Sequence, residues 1–197
     1  MKKTLVALLA IGMAVVLEAA PKIKVKAAPD PKFDFSTVKT WAWDADAGDV
    51  KMALTATDNP AALKARIDPL LRKFVTDAMT RAGLTAPAGG PPDVQLHYYV
   101  LVTINMTGQT MGQFLPTVPY WGLPPFAPQT QSLEVVTKGS LVLDAMQPGP
   151  VGDRKVVWRG IAESTVADDI KDAEREARLK YAADELIKRL TLKKKKK

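Results

Sequence analysis

Alternation of polar and apolar residues marks the strands. Residues 22–27 read Lys-Ile-Lys-Val-Lys-Ala, the two-residue period of a half-buried strand with its lysines outward. Trp41 and Trp43 share one face of a second extended segment, where we expect them to pack on the sheet, and the polar stretch after Gly48 is expected to be a connection. The clearest strand, 93–104, places six apolar residues on one face: Val94, Leu96, Tyr98, Val100, Val102 and Ile104.

A spacing of three and four predicts a helix between the second and third strands. Its apolar stripe consists of Leu63, Ile67, Leu70, Leu71, Phe74, Ala78, Met79 and Ala82. Asp58 or Asn59 can cap this helix, and Gly83 ends it. Pro69 lacks the amide proton that a helix interior needs, so we expect a kink or a short preliminary turn there, with Asp68 recapping the main helix.

A hairpin and a second helix complete the pattern. Residues 133–136 and 139–146, a turn rich in Pro and Gly, and residues 155–163 predict two antiparallel strands. A helix is predicted from about Asp169 to Leu190, capped by Asp168 or Asp169. Its inward residues are Ala173, Ala177, Leu179, Ala183, Leu186, Ile187 and Leu190. The predicted fold is α+β: a mainly antiparallel sheet of about five strands with two helices packed on one face, in the order β-β-α-β-β-β-α.

The N-terminus has the order of a secretory signal. Met1-Lys2-Lys3 is followed by the apolar run 4–17 and then by small residues. A membrane-spanning helix needs about 20 apolar residues, so we expect cleavage near Ala19 and a single domain over residues 20–192. The predicted location is the bacterial periplasm or cell surface. An uncleaved inner-membrane anchor is the alternative.

A lysine tail accounts for the basic character of the chain. The net charge is +7, but without the signal and the last five residues the body keeps 21 basic and 20 acidic residues. Hence no nucleic-acid-binding face is expected. The tail consists of Lys193, Lys194, Lys195, Lys196 and Lys197. It is interpreted either as attraction to anionic lipid or lipopolysaccharide, about 1 kcal/mol per lysine, or as a solvated terminus.

Composition excludes several chemistries. With no cysteine there is no disulfide, thiolate nucleophile or Cys-based metal site, and with one histidine a His-paired metal site would need other ligands. The chain has no phosphate-binding glycine loop and no nucleophile elbow. Asp44, Asp46 and Asp49 crowd one loop, but their spacing is not that of a calcium loop. No catalytic, cofactor or metal residue is therefore predicted.

Three polar residues in strands need an explanation. His97 alternates onto the face opposite Leu96, and we interpret it as a surface or partly covered histidine. Asp144 lies inside an apolar strand, where a carboxylate requires a partner. Arg159 on the neighbouring strand is the expected partner, and a structural ion pair is favoured over a general acid or base.

Residues 106–132 form a loop rich in proline and aromatic residues. Phe114, Tyr120, Trp121 and Phe126 are its candidate interaction surface, for an envelope protein, glycan or lipid. Such a long loop is either functional or mobile. The alternative is a loop folded back over the open sheet face, which would bury Trp121 and Phe126.

Several stretches together resemble the bacterial envelope proteins that carry the domain of unknown function 4136, many of them lipoproteins. The matching stretches are 33–36, 39–43, 82–84, 92–98, 138–144 and 156–160. The resemblance covers roughly residues 22–190 and implies a secreted or periplasmic domain of uncharacterised role, with no catalytic residues. Lipoproteins of this kind have a cysteine just after the signal, whereas residues 17–20 here read Leu-Glu-Ala-Ala, so no lipid anchor is expected.

Two functions are consistent with the sequence. The first hypothesis is a non-enzymatic envelope module that binds its partner through the loop and the sheet face. The alternative is a periplasmic hydrolase that uses carboxylates such as Asp144 and Glu163. The hydrolase requires two acidic groups that converge in a pocket, and the absence of a visible pair of nucleophile and base favours the first hypothesis.

Overall fold

The computed structural model describes residues 22–53, 59–104, 137–150, 154–165 and 170–191. The elements are β1 (Lys24–Pro29), a short 3-10 turn (Phe35–Thr37), β2 (Trp41–Trp43), β3 (Asp49–Ala53), α1 (Pro60–Arg81), β4 (Val94–Ile104), β5 (Thr137–Met146), β6 (Val156–Thr165) and α2 (Asp172–Thr191). The predicted signal, the lysine tail and the aromatic-rich part of the β4–β5 connection lie outside the described residues.

The strands form one mixed sheet in the order β1-β6-β5-β4-β2, and β3 also pairs with β4. The pairs β1–β6, β6–β5 and β5–β4 are antiparallel, whereas β2 and β3 run parallel to β4. The predicted α+β class and the mainly antiparallel sheet are therefore confirmed. The parallel pairings arise because α1 returns the chain from β3 to β4 as a crossover helix.

The connection expected after Gly48 is instead a strand. Asp49–Ala53 pairs in parallel with the second half of β4, from Tyr99 to Thr103, so that β2 and β3 share one edge of this long strand. Gly48 makes the turn between them. Its φ is +108°, and a Cβ atom there would lie 2.5 Å from the Tyr98 hydroxyl, so a side chain would meet both strain and a clash.

Both helices pack on one face of the sheet, as expected. The core between them contains Leu71, Phe74, Val75 and Met79 of α1, Leu96 and Tyr98 of β4, Leu143 of β5, Trp158 of β6, and Ala183, Leu186 and Ile187 of α2. Burying each of the larger side chains contributes about 1.5–3 kcal/mol. Gly160 lets α2 approach the sheet, because a Cβ atom there would lie 2.6 Å from Leu186.

The first helix is continuous through its proline. Asn59 caps it, as predicted, by accepting a hydrogen bond at 3.0 Å. The expected recapping at Asp68 is wrong, since this carboxylate accepts hydrogen bonds from Arg72 inside the same helix. Pro69 is tolerated because it and Ala65, whose carbonyl loses a donor, are exposed, so that water can replace the missing bond.

The second helix begins later than predicted, at Asp172, and the two candidate caps Asp168 and Asp169 lie outside the described residues. Ala173 and Ala177 are exposed, so their predicted inward position is wrong. Residues 172–177 of α2 are exposed or partly exposed, and the buried residues of this helix lie in its second half. No helix in the described part of the chain is long and apolar enough to cross a membrane.

The sheet face turned away from the helices, here called the far face, is also buried. Leu101, Val142 and Ile161 point to this face and are 1%, 0% and 2% exposed. The central strands therefore do not offer these apolar side chains as a free platform for a partner.

Candidate functional site

A row of charged side chains crosses the far face. Arg159 on β6 lies opposite Asp144 on β5, and Asp144 lies opposite His97 on β4. These three residues are 2%, 0% and 8% exposed. The row continues to Asp44, which follows β2, and ends at Arg154 ahead of β6. We call these five residues the charged row.

The predicted ion pair between Asp144 and Arg159 is confirmed. Arg159 Nε donates to Asp144 Oδ1 and Arg159 Nη2 to Asp144 Oδ2, each at 2.6 Å. This two-bond geometry matches a guanidinium to a carboxylate plane. Burial raises the pKa of Asp144 above its usual range, and the two hydrogen bonds from Arg159 oppose that rise. Asp144 therefore forms a structural ion pair with Arg159.

The interpretation of His97 as a surface or partly covered histidine is wrong. This residue is buried, and its Nδ1 lies 3.2 Å from Asp44 Oδ2. Because an ionised carboxylate only accepts hydrogen bonds, this contact assigns a proton to Nδ1. The Tyr99 ring lies on the same face, 4.6 Å from the His97 ring, and burial raises the pKa of Tyr99 to about 12.

Asp44 links His97 to Arg154 within the charged row. Its Oδ1 accepts a hydrogen bond from Arg154 Nη1, and its backbone N–H donates to the Leu96 carbonyl at 2.9 Å, which fixes the residue beside β4. Burial raises the pKa of Asp44, but the hydrogen bond from His97 and the charge of Arg154 outweigh it and hold the pKa below the ordinary value. Asp44 is therefore ionised at neutral pH.

The second ring nitrogen of His97 has a different environment. His97 Nε2 lies 3.7 Å from Asp49 Oδ2 and is buried without a hydrogen-bond partner. Gln95 Oε1, on the same face of β4, is also buried without one. Of the three loop aspartates, Asp44 faces His97 and Arg154, and Asp46 is exposed. In the described ranges, no three His, Asp or Glu side chains form a cluster that could hold a metal ion.

The two carboxylates of the hydrolase alternative do not converge. Asp144 is bound to Arg159, whereas Glu163 lies opposite Ser140. Ser140 and Asp144 are four residues apart on β5, which corresponds to about 13 Å along a strand. The pocket with two acidic groups that this alternative requires is not formed by these residues.

A second polar cluster joins α1 to the turn between β2 and β3. Arg72 lies over the Trp43 ring at 5.0 Å, and donates to Asp68 at 2.9 Å and to the Ala47 carbonyl at 2.7 Å. Tyr98 donates its hydroxyl proton to the same Asp68 carboxylate. Burial, with the hydrogen bond to Asp68, raises the pKa of Tyr98. Asp68 thus accepts hydrogen bonds from both Arg72 and Tyr98, and Arg72 also holds the Ala47 carbonyl, so we interpret the cluster as a structural link between α1 and this turn.

The candidate interaction residues from the sequence, Phe114, Tyr120, Trp121 and Phe126, lie outside the described residues. Sequence reasoning found the Asp144–Arg159 pair but missed the rest of the charged row. Asp44 was visible only as one of three loop aspartates, and Arg154 as one residue of a turn.

One family model matches most of the chain. The family model described as "Domain of unknown function (DUF4136)" matches residues 25–190. The chain belongs to this family. The match runs from β1 to the end of α2, so it includes the whole charged row. No curated protein matches the chain.

Several solved structures of low sequence identity are similar to this chain. A DUF4136 family protein, BT2437 from Bacteroides thetaiotaomicron, is 15% identical with a TM-score of 0.48, over 85% of this chain and 95% of that one. A PelC dodecamer from Paraburkholderia phytofirmans is 10% identical with a TM-score of 0.31, over 85% and 94%. A minor lipoprotein from Acinetobacter baumannii is 9% identical with a TM-score of 0.33, over 79% and 91%.

Proposed function

We propose that this DUF4136 protein is an exported bacterial envelope protein that works as a non-enzymatic binding or structural module. The observation that carries the proposal is the internal neutralisation of the charged row. Asp144 is bound by Arg159, and Asp44 by Arg154 and His97. A general acid or base must exchange protons with a substrate, and buried groups that are held by counter-charges are poorly suited to that role.

Export is supported by the N-terminal pattern. The apolar run 4–17 precedes β1, and the family match begins only at residue 25, after this run. A basic start, an apolar stretch and small residues are the signal that a secretion system recognises. The proposed location is the periplasm or the cell surface, with cleavage near Ala19.

The contact with a partner is proposed to involve the aromatic residues of the β4–β5 connection, Phe114, Tyr120, Trp121 and Phe126. Ile104 lies directly opposite Thr137, so a hairpin loop of two to five residues could join the strands. The chain uses residues 105–136 instead, and connections of this length usually have a function. The lysine tail, residues 193–197, would add nonspecific attraction to anionic lipid or lipopolysaccharide.

Deletion of residues 106–126 tests this proposal. The remaining connection is still long enough to close the hairpin, so the domain is expected to fold. We expect the deletion variant to lose retention on envelope fractions while its melting temperature stays near that of the wild type. A variant without residues 193–197 serves as the matched comparison and should lose only the salt-sensitive part of retention.

Two results would contradict the proposed contact. Unchanged retention of the deletion variant would mean that the loop makes no contact with the envelope. A large drop in melting temperature on replacing the four aromatic residues by serine would mean that they belong to the core, as in the alternative in which the loop folds over the sheet.

A further inference from the structure

We propose that Lys22, Lys24 and Lys26, here called the lysine edge, hold the domain against a bilayer that contains anionic phospholipid. The three lysines are exposed and occupy every second position along the start of β1 and the residues just before it. β1 is the first strand in the sheet order, so its outer side has no strand partner in the described part of the chain. The proposal names the surface that the exported domain would contact, and in this it rests on the proposed function.

The intervening residues fix the direction of the lysines. Ile23, Val25 and Ala27 pack against the core. Since successive side chains of a strand point to opposite faces, the lysines are directed to the far face, where Lys26 lies opposite Ile161. The three positions span about 13 Å along the strand direction, so all three ammonium groups can reach one flat surface together.

The charges of the lysine edge are not compensated by other described residues. None of its lysines has an ion pair among them, whereas Lys73, Lys180 and Lys188 on the helices each lie within 3.0 Å of a carboxylate. Glu163 is the single acidic residue among the positions of β6 that lie opposite β1. Even if one lysine were paired with it, two positive charges would remain for an anionic surface.

The chemistry of the lysine edge favours lipid over a second strand. An edge strand has a row of unpaired N–H and C=O groups, and lysines on such a strand hinder the addition of another strand. Lipid phosphates accept hydrogen bonds and are negatively charged, so they match both the backbone donors and the ammonium groups. Each lysine near an anionic bilayer strengthens binding by about fivefold, which corresponds to about 1 kcal/mol.

Co-sedimentation of residues 20–197 with lipid vesicles tests the proposal. This chain includes every described element. The vesicles contain either equal amounts of phosphatidylcholine and phosphatidylglycerol or phosphatidylcholine alone. We expect binding to the anionic vesicles only, and weaker binding as salt is added, since exposed charges are screened. Because purified protein is used, the result does not depend on export.

Two double variants remove the same charge from different places. Lys24→Gln/Lys26→Gln should weaken binding to the anionic vesicles by about tenfold or more. Lys32→Gln/Lys39→Gln removes two exposed lysines outside β1 and should bind almost as the wild type does. All four side chains are exposed, so both variants should fold. Both keep residues 193–197, so a difference between them reports on the folded domain.

Three results would overturn the proposal. Equal weakening by the two double variants would mean that binding depends on net charge alone. Unchanged vesicle binding of Lys24→Gln/Lys26→Gln, with self-association in gel filtration, would mean that these lysines only protect the edge of β1. The variant Lys24→Arg/Lys26→Arg keeps both charges and should bind as the wild type does, and loss of its binding would contradict a contact made by charge.

Discussion

Asp144 and Arg159 lie directly opposite each other on neighbouring strands and share two hydrogen bonds of 2.6 Å. Both side chains are almost completely buried, so each charge depends on the other for its solvation. Moving such a pair out of water costs solvation free energy, and the attraction between the two charges offsets this cost only when their geometry is good. The pair therefore constrains which residues can occupy these positions.

Replacing one partner of the pair should destabilise the folded protein far more than replacing both. Arg159→Met leaves the Asp144 carboxylate buried without its counter-charge, and we expect a loss of about 3–5 kcal/mol in the free energy of unfolding. The double variant Asp144→Leu/Arg159→Met should be clearly more stable than the single variant. Urea denaturation of the three proteins measures this. Equal losses in the single and double variants would contradict the pairing.

The lowered pKa of Asp44 predicts a particular pH dependence. Because the folded pKa lies below the ordinary value of 3.8, the unfolded chain takes up the proton first as the pH falls. The stability that this carboxylate contributes is complete well above pH 3.8 and is lost as the pH falls through the folded pKa. Asp44→Asn should therefore differ from the wild type strongly at pH 7 and much less near pH 3.

Melting temperatures of the two proteins at both pH values provide the measurement, with Asp46→Asn as the control. A difference between Asp44→Asn and the wild type that is the same at both pH values would contradict the charge interactions assigned to Asp44. The Asp46 variant should resemble the wild type throughout.

Gly160 is required for the contact between β6 and α2. A Cβ atom there would collide with the Trp158 ring and lie 2.6 Å from Leu186, so Gly160→Ala should destabilise the protein by about 1–3 kcal/mol. Gly89→Ala is the control, because nothing lies within 4 Å of a Cβ atom at that position. Chemical denaturation should show a loss only for the first variant, and equal stability of both would argue against the close approach of α2.

Local patterns predicted the elements whose signals are contained in neighbouring residues. The stripe of α1, the alternation of β4 and the hairpin of β5 and β6 depend on periods of a few residues, and all three are present. The Asp144–Arg159 pair could be predicted for a similar reason. A carboxylate in an apolar strand needs a counter-charge, and the adjoining strand of the hairpin supplies one.

Distant contacts explain what the sequence did not indicate. His97 is buried because Asp44, 53 residues earlier, is placed beside β4 by the parallel pairing of β2. The sequence pattern did not predict β3, because Asp49 and Lys51 interrupt the apolar residues of this short segment. In addition, its partner β4 becomes adjacent only after the crossover through α1. Pairing between segments that far apart has no signature in a local window.

Asp93 is expected to hold the start of β2 in place. Its Oδ2 accepts hydrogen bonds from the backbone N–H groups of Lys39 and Thr40 at 2.8 Å and from the Thr40 hydroxyl at 2.9 Å. These hydrogen bonds lower the pKa of Asp93. Asp93→Ala should speed amide hydrogen exchange at Lys39 and Thr40 and leave the Leu186 amide in α2 unchanged. Unaltered exchange at Lys39 and Thr40 would contradict this role.

The first residue of the mature protein reports directly on the proposed export. Fractionation of cells that produce the native protein, followed by mass spectrometry of the purified product, reports both its location and its first residue. We expect a soluble periplasmic protein that begins near Ala20. A membrane-bound product that retains Met1 would mean that residues 4–17 are an anchor, and a cytoplasmic product that retains Met1 would contradict export altogether.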